Sequence, residues 1–249
     1  MVRIILVSVC VLVLLLSAWG AMAADLEDGL ILHLAFEKED PVDLSPDPAD
    51  VSVAKGALKL ANGKVGQAAE FDGSTILEVT HADKLDGMEA LTIAAWIQPE
   101  KVTEASIVSK RIANVNADSY NFFMWTGNKL DGRINASGDF WSTTVIQAGT
   151  WYHVAYVYDG PAQQQRIYVD GALDAEGVQL NQVVPQNDSP LWIGELDSAR
   201  GFIYIGLMDE LGIWNRALSE EEIKLTMEGI VMAVEPQSKL TTTWGDMKR

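Results

Sequence analysis

A chain of 249 residues with 35 acidic against 18 basic side chains, a net charge of −17 and a pI near 4.4 has no basic footprint with which to read nucleic acid. Hydrophobic residues at 48% exclude wholesale disorder. The one cysteine, Cys10, lies in the apolar N-terminal run, so the body of the chain holds no disulfide, thiolate nucleophile or Cys-ligated zinc.

Met1 to Ala23 reads as a secretory leader: Arg3, an apolar run from Ile4 to Leu16, then Ala21-Met22-Ala23 before the expected cut. The run is short for a bilayer span, and no later segment is suited to cross one, so the expectation is an exported chain that is not membrane-spanning. No long Pro, Gly or Ser tract divides the remainder, although Pro41 to Pro48 is a turn-rich loop. The expected organisation is a leader (1–23), a single domain (24–229) and a C-terminal extension (230–249).

Short segments rich in Val, Ile, Tyr and Trp, bounded by Gly, Asp or Asn, predict strands. In chain order they are Leu30–Phe36, Ala68–Phe71, Ile76–Val79, Leu91–Gln98, Ser106–Lys110, Tyr120–Trp125, Lys129–Asn135, Trp151–Tyr158, Gln165–Val169, Leu191–Gly194 and Gly206–Trp214. Leu91–Gln98 is apolar or small on both alternating faces, which suits a central strand, and Trp96 and His153 read as core residues. Trp192, flanked by Leu191 and Ile193, is expected in the sandwich interior. Asp170-Gly171 between two extended runs predicts a hairpin. Ser219-Glu220-Glu221-Glu222 opens the one convincing helix with a capping box, and Gly229 closes it. The extension holds Trp244 and a basic end, Lys248-Arg249.

The residues also resemble a known family. Gly29–Glu37, Gly66–Ser74, Leu91–Pro99, Trp151–Ala155, Tyr168–Gly171 and Met208–Ile223 look like the successive motifs of laminin-G-like, concanavalin A-like domains, in order over about 25–228. The resemblance implies an all-β, two-sheet antiparallel jelly-roll sandwich with one short C-terminal helix. It also implies a concave face that often binds glycans or proteins, and calcium in many members. This fold hosts lectins, adhesion modules and glycoside hydrolases alike, so function has to be argued from the site.

Hydrolases of this superfamily carry a Glu-x-Asp-x-Glu or Glu-x-Asp-x-x-Glu strand, which holds two carboxylates about 5 to 5.5 Å apart for retaining chemistry. No such strand is present; Glu37-Lys38-Glu39-Asp40 comes nearest and opens the proline-rich loop. There is no Gly-x-Ser-x-Gly and no paired-histidine motif, and the three histidines, His33, His81 and His153, are poorly placed as bases. The chain reads as non-catalytic.

Calcium takes six to eight oxygen ligands, and two sets are suggested. Leu191–Asp197 is similar to a pentraxin block in which a Glu-x-Asp pair holds calcium, which would assign Glu195 and Asp197, with Asp118 from the Ala113–Ser119 loop as a further ligand. The loop is Ala113-Asn114-Val115-Asn116-Ala117-Asp118-Ser119 rather than the pentraxin Asp-Asn pair, and a solvated acidic loop is the alternative. A second set, similar to a structural cation of some jelly-roll hydrolases, comprises Asp209, Glu37 and the carbonyl of Gly73. Asp209 lies in an otherwise apolar strand, where a lone carboxylate is costly and needs either a cation or a partner such as Arg216.

A pyranose presents an apolar face and a polar rim, so a sugar site needs an aromatic platform beside hydrogen-bonding groups. Tyr120, Trp125, Asn135, Asp139 and Trp141 are the candidates; Trp141 stands out because Ala136–Ser142 reads as a loop. The reading is a secreted recognition module for a glycan or an extracellular protein, with Ca2+ as the candidate cofactor. A structural or adhesion component docked through the C-terminal extension, and a divergent glycoside hydrolase, are the alternatives.

Overall fold

The computed structural model describes residues 26–112, 118–135, 138–197 and 201–230. The leader, Asn114, Asn116 and the extension after Ile230 lie outside the described residues, as do the expectations attached to them. The compact unit runs from Asp28 to Ile230.

Its strands are β1 (Leu30–Leu34), β2 (Val51–Lys55), β3 (Lys59–Asn62), β4 (Gln67–Asp72), β5 (Ile76–Val79), β6 (Ala90–Pro99), β7 (Ala105–Lys110) and β8 (Tyr120–Trp125). They continue with β9 (Lys129–Ile134), β10 (Trp141–Val145), β11 (Tyr152–Asp159), β12 (Gln164–Val169), β13 (Ala172–Val178), β14 (Leu191–Ile193) and β15 (Ile205–Trp214), followed by the α-helix α1 (Glu220–Thr226); a 3-10 turn, Asp83–Leu85, precedes β6. An eight-stranded sheet is ordered β13-β12-β11-β6-β15-β4-β3, with β1 also on β15; a seven-stranded sheet is ordered β10-β9-β8-β7-β14-β5-β2. All pairings are antiparallel.

Alternation sends one set of side chains from each sheet into a shared core. Tyr120, Phe122 and Met124 of β8 meet Val154, Tyr156 and Tyr158 of β11 there, with the Phe122 and Tyr156 rings stacked at 5.9 Å. Gly132 makes room for that stack, since a Cβ on it would stand 2.2 Å from the Tyr156 ring.

The other face of the eight-stranded sheet is roofed by α1. Ser219 Oγ accepts from the Glu222 amide at 3.2 Å and the Glu222 carboxylate accepts from the Ser219 amide at 2.8 Å, the reciprocal box that starts the helix. Beneath it, Trp96 donates its indole N–H to Met227 O at 3.1 Å. His153 meets Thr226 Oγ1 at 3.0 Å, and burial depresses its pKa to about 3. The hairpin also forms: Asp170 and Gly171 have φ of 50° and 75°, the pair of left-handed residues that a tight two-residue loop requires, and Val169 faces Ala172.

One strand changes neighbours along its length. β15 pairs with β4 over Ile205–Met208 and with β1 over Leu211–Trp214, while β6 stays on its other side with a register shift between Asp209 and Gly212. Glu210 takes φ of 49° at this bulge, so two carboxylates, Asp209 and Glu210, sit where the strand bends.

Candidate functional site

The seven-stranded sheet presents the chemistry. With Tyr120, Phe122 and Met124 inside, Asn121, Phe123 and Trp125 face outward, and the register sets Asp131 opposite Phe123 and Trp141 opposite Asp131. Trp141 is 43% exposed, yet its orientation is fixed, because its indole N–H donates to Asp131 Oδ2 at 3.2 Å. Arg133 donates to the same carboxylate at 2.8 and 3.2 Å and pairs with the exposed Asp139. The Arg133 guanidinium lies 4.9 Å from the Phe123 ring and 5.4 Å from the Trp125 ring, within cation–π range. Trp125 packs on Phe202 at 5.3 Å. Asp131 is fully buried; burial raises its pKa, opposed by Arg133 and the Phe140 amide.

Three of the five sugar-site candidates are thus brought together: Trp125, Asp139 and Trp141. Trp141 stands on an edge strand rather than in a loop. Tyr120 does not belong with them, because its ring is wholly inside the core and shows no face to a ligand. Asn135 lies past the far end of β9, donating to Asn181 Oδ1 at 3.3 Å. Trp192 also departs from expectation: Leu191 and Ile193 fill the core while Trp192, between Ser109 and Glu78 in the sheet, faces outward and is half-buried.

Beside Trp192, the first calcium set has protein cations within reach. Glu195 is 3% exposed and accepts from Lys55 Nζ at 2.8 and 3.1 Å. Arg111 Nε lies 3.3 Å from Asp118 Oδ1 and 3.2 Å from Asp197 Oδ2, and both carboxylates are buried. Positive charge already occupies the space among these acids, so the residues do not fit a calcium ion, which would have to displace a guanidinium and strand it among buried groups.

The second set divides. Asp209 and Glu37 converge on one turn: Asp209 Oδ2 accepts from the Lys64 and Val65 amides at 2.8 and 2.9 Å, and Glu37 accepts from the Gln67 amide at 3.1 Å. Gly63 and Gly66 are required there, as Cβ atoms would stand 2.5 Å from Asp209 and 2.1 Å from Glu37. Gly73 is not part of the set, since it follows the opposite end of β4, roughly 20 Å away at the rise of an extended strand. Arg216 goes instead to Glu222 at 2.7 Å. Asp209 is fully buried with Oδ1 unpartnered, and burial pushes its pKa up to about 7. Among the described residues no group of three or more His, Cys, Asp or Glu side chains gathers that could hold a metal ion, so a cation at this orphaned oxygen would have to draw most of its six to eight ligands from backbone oxygens and water.

A model of the concanavalin A-like lectin/glucanases superfamily matches residues 71–224. The chain belongs to this superfamily. Among curated proteins, a similar one is "Sushi, von Willebrand factor type A, EGF and pentraxin domain-containing protein 1" of Rattus norvegicus, 23% identical over 151 residues or 56% of this chain. The Mus musculus protein of the same name is 24% identical over 154 residues, or 57%. The chain spans about 4% of the length of these relatives.

Solved structures share the superfamily fold at low identity. The binding domain of Paraclostridial Mosquitocidal Protein 1 aligns with a TM-score of 0.66 at 17% identity, covering 81% of this chain and 52% of that one. Domain 4 of AbnA, a GH43 extracellular arabinanase from Geobacillus stearothermophilus in complex with arabinotriose, aligns at 0.63 and 21%, covering 78% and 96%. The binding domain of Botulinum Neurotoxin DC in complex with SialylT aligns at 0.64 and 15%, covering 83% and 52%.

Phe123, Asp131 and Arg133 complete the Trp141 face and are not among the candidates that the sequence suggests. Simple alternation along β8 and β9 would have placed them beside Trp125. Lys55 and Arg111 carried no such signal, because Glu195 and Asp197 reach them from distant parts of the chain and Asp118, nearer in sequence, meets Arg111 only in the folded chain. Among the described residues no helix is long and apolar enough to cross a membrane.

Proposed function

We propose that the chain is an exported, non-catalytic carbohydrate-recognition module that meets its glycan on the outer face of the seven-stranded sheet. The carrying observation is Trp141, an exposed indole fixed by Asp131 and set beside the Arg133, Trp125 and Phe202 stack. The fixed ring can take the apolar face of a sugar, while Arg133 and Asp139 serve its hydroxyls. Little conformational freedom is lost on binding, because the ring and guanidinium are already held. The complexes of the arabinanase domain with arabinotriose and of the neurotoxin binding domain with SialylT support carbohydrate as the ligand class. The carboxylates of this face, Asp131 and Asp139, share Arg133, which argues for holding a glycan rather than cleaving it. Asp209 and Glu37 would hold a structural calcium ion at the turn 63–67, where it would neutralise a desolvated carboxylate away from the ligand face.

Calorimetric titration with neutral oligosaccharides, arabinotriose first, tests the proposal. The expected result is measurable binding that Trp141→Ala weakens by about tenfold or more, the size of a tryptophan anchor. Absence of binding across the panel, or an unchanged affinity in the variant, would overturn it.

A further inference from the structure

We propose that the pocket over Trp192 is a second subsite for neutral, hydroxyl-rich sugar units, in which Arg111 fills the place of a metal ion. This rests on the reading above, since it assigns a further contact to the same glycan-binding sheet.

The pocket is an open cleft of about 370 Å3 lined by Trp192, Arg111, Ile112, Asp188, Ser189, Pro190 and Asp197. That volume falls within the range of small-ligand sites. Its aromatic wall is built by alternation in β14, which turns Trp192 outward.

The opposite wall is held by an unusual anchor. Lys110 is fully buried, and its ammonium donates to Asn187 O at 2.9 Å, Asn187 Oδ1 at 3.2 Å and Ser189 O at 2.7 Å, with Asp86 at 3.1 Å and His81 Nδ1 at 3.1 Å. The segment 187–190 is therefore shaped before a ligand arrives, which lowers the cost of binding.

Arg111 forms the floor, its side chain 10% exposed between Asp118 and Asp197. Its planar fork of donors can serve two carboxylates and a ligand hydroxyl together, the orienting task a metal ion performs elsewhere. In the lining Asp188 and Asp197 outnumber Arg111, whose guanidinium also faces Asp118, so carboxylated or sulfated sugars meet net repulsion while neutral ones do not. Trp141 on β10 and Trp192 on β14 lie four strand spacings apart, about 19 Å, too far for one monosaccharide and suited to an extended chain.

Two measurements test this. Calcium chloride alone is titrated into Asp209→Asn protein, which lacks the other candidate site, and into the same protein carrying Arg111→Ser. The expected result is no calcium binding in the first and a new calcium site in the second. Calcium uptake by the first that Asp197→Asn abolishes, or a folded double variant that takes up none, would overturn the role of Arg111.

In the second measurement, arabinotriose, lactose and sialyllactose are titrated into wild-type protein, with and without chelator, and into Trp192→Ala. The expected result is neutral-sugar binding that survives chelation, falls about tenfold in Trp192→Ala, and is at least about tenfold weaker for sialyllactose than for lactose. Binding lost on chelation, tighter binding of sialyllactose, or binding that depends on Trp141 but not Trp192 would overturn the pocket while leaving the first site standing. Absence of all sugar binding would remove both.

Discussion

Replacing Asp209 by asparagine changes one buried oxygen into an amide nitrogen and should abolish the pH response of that part of the fold. In the native state the pKa stands at about 7 against 3.8 for the free side chain, so the folded protein binds this proton more tightly than the unfolded chain does. Stability from the group is complete below the lower value, declines as pH rises, and is gone above the upper one. At about 1.4 kcal/mol per pH unit, the interval amounts to about 4 kcal/mol. The amide oxygen of the introduced asparagine can still accept from the Lys64 and Val65 amides that Asp209 Oδ2 serves, so the substitution removes the ionisation while keeping the turn. Urea unfolding of both proteins in chelator from about pH 4 to pH 8 should show wild type losing ground to Asp209→Asn by a few kcal/mol. Added calcium should restore the wild type at high pH and leave the variant unmoved. Parallel stability curves across that range would refute the desolvation of Asp209.

Other substitutions probe the framework. Lys110→Met should cost about 3 to 5 kcal/mol, since it leaves Asp86 and the Asn187 and Ser189 carbonyls buried without their ammonium; denaturant titration checks it. Gly132→Ala drives a methyl into the Tyr156 ring and should lower stability by about 1 to 3 kcal/mol, with near-ultraviolet dichroism reporting the disturbed aromatic stack. Ser219→Ala removes the cap of α1 and should cost about 1 kcal/mol, a fall of roughly 2 to 4 °C in melting temperature for a domain of this size.

How much of this was legible depends on where each segment lies in its sheet. Ile76–Val79 and Tyr120–Trp125 match β5 and β8 end to end, because strands with neighbours on both sides carry an unbroken apolar face. The strands left unread as such, β2, β3, β10 and β13, are the outermost members of the two sheets. Val51-Ser-Val-Ala-Lys55, Lys59-Leu-Ala-Asn62 and Trp141-Ser-Thr-Thr-Val145 are mixed polar segments with partly exposed side chains, which is how edges resist aggregation and why they read as loops. Ala172–Val178 betrayed only its hairpin end. The buried carboxylates were visible as anomalies in apolar runs, but their partners were not. Asp209 is answered by amides 144 and 145 residues away in the chain, and Asp118 and Asp197 by a guanidinium whose sequence context, Lys110-Arg111-Ile112, looks like an ordinary strand end.

The bend in β15 has a consequence for architecture at larger scale. The compact unit begins at Asp28, two residues before Leu30 pairs opposite Trp214, and ends at Ile230, whose amide donates to Glu210 at 2.8 Å and whose side chain reaches Gly212. Doorway and exit therefore stand within about four residues of a single strand, roughly 13 Å. A fold with such neighbouring ends can be spliced into a host polypeptide, or threaded in series with copies of itself, without prising apart the segments on either side.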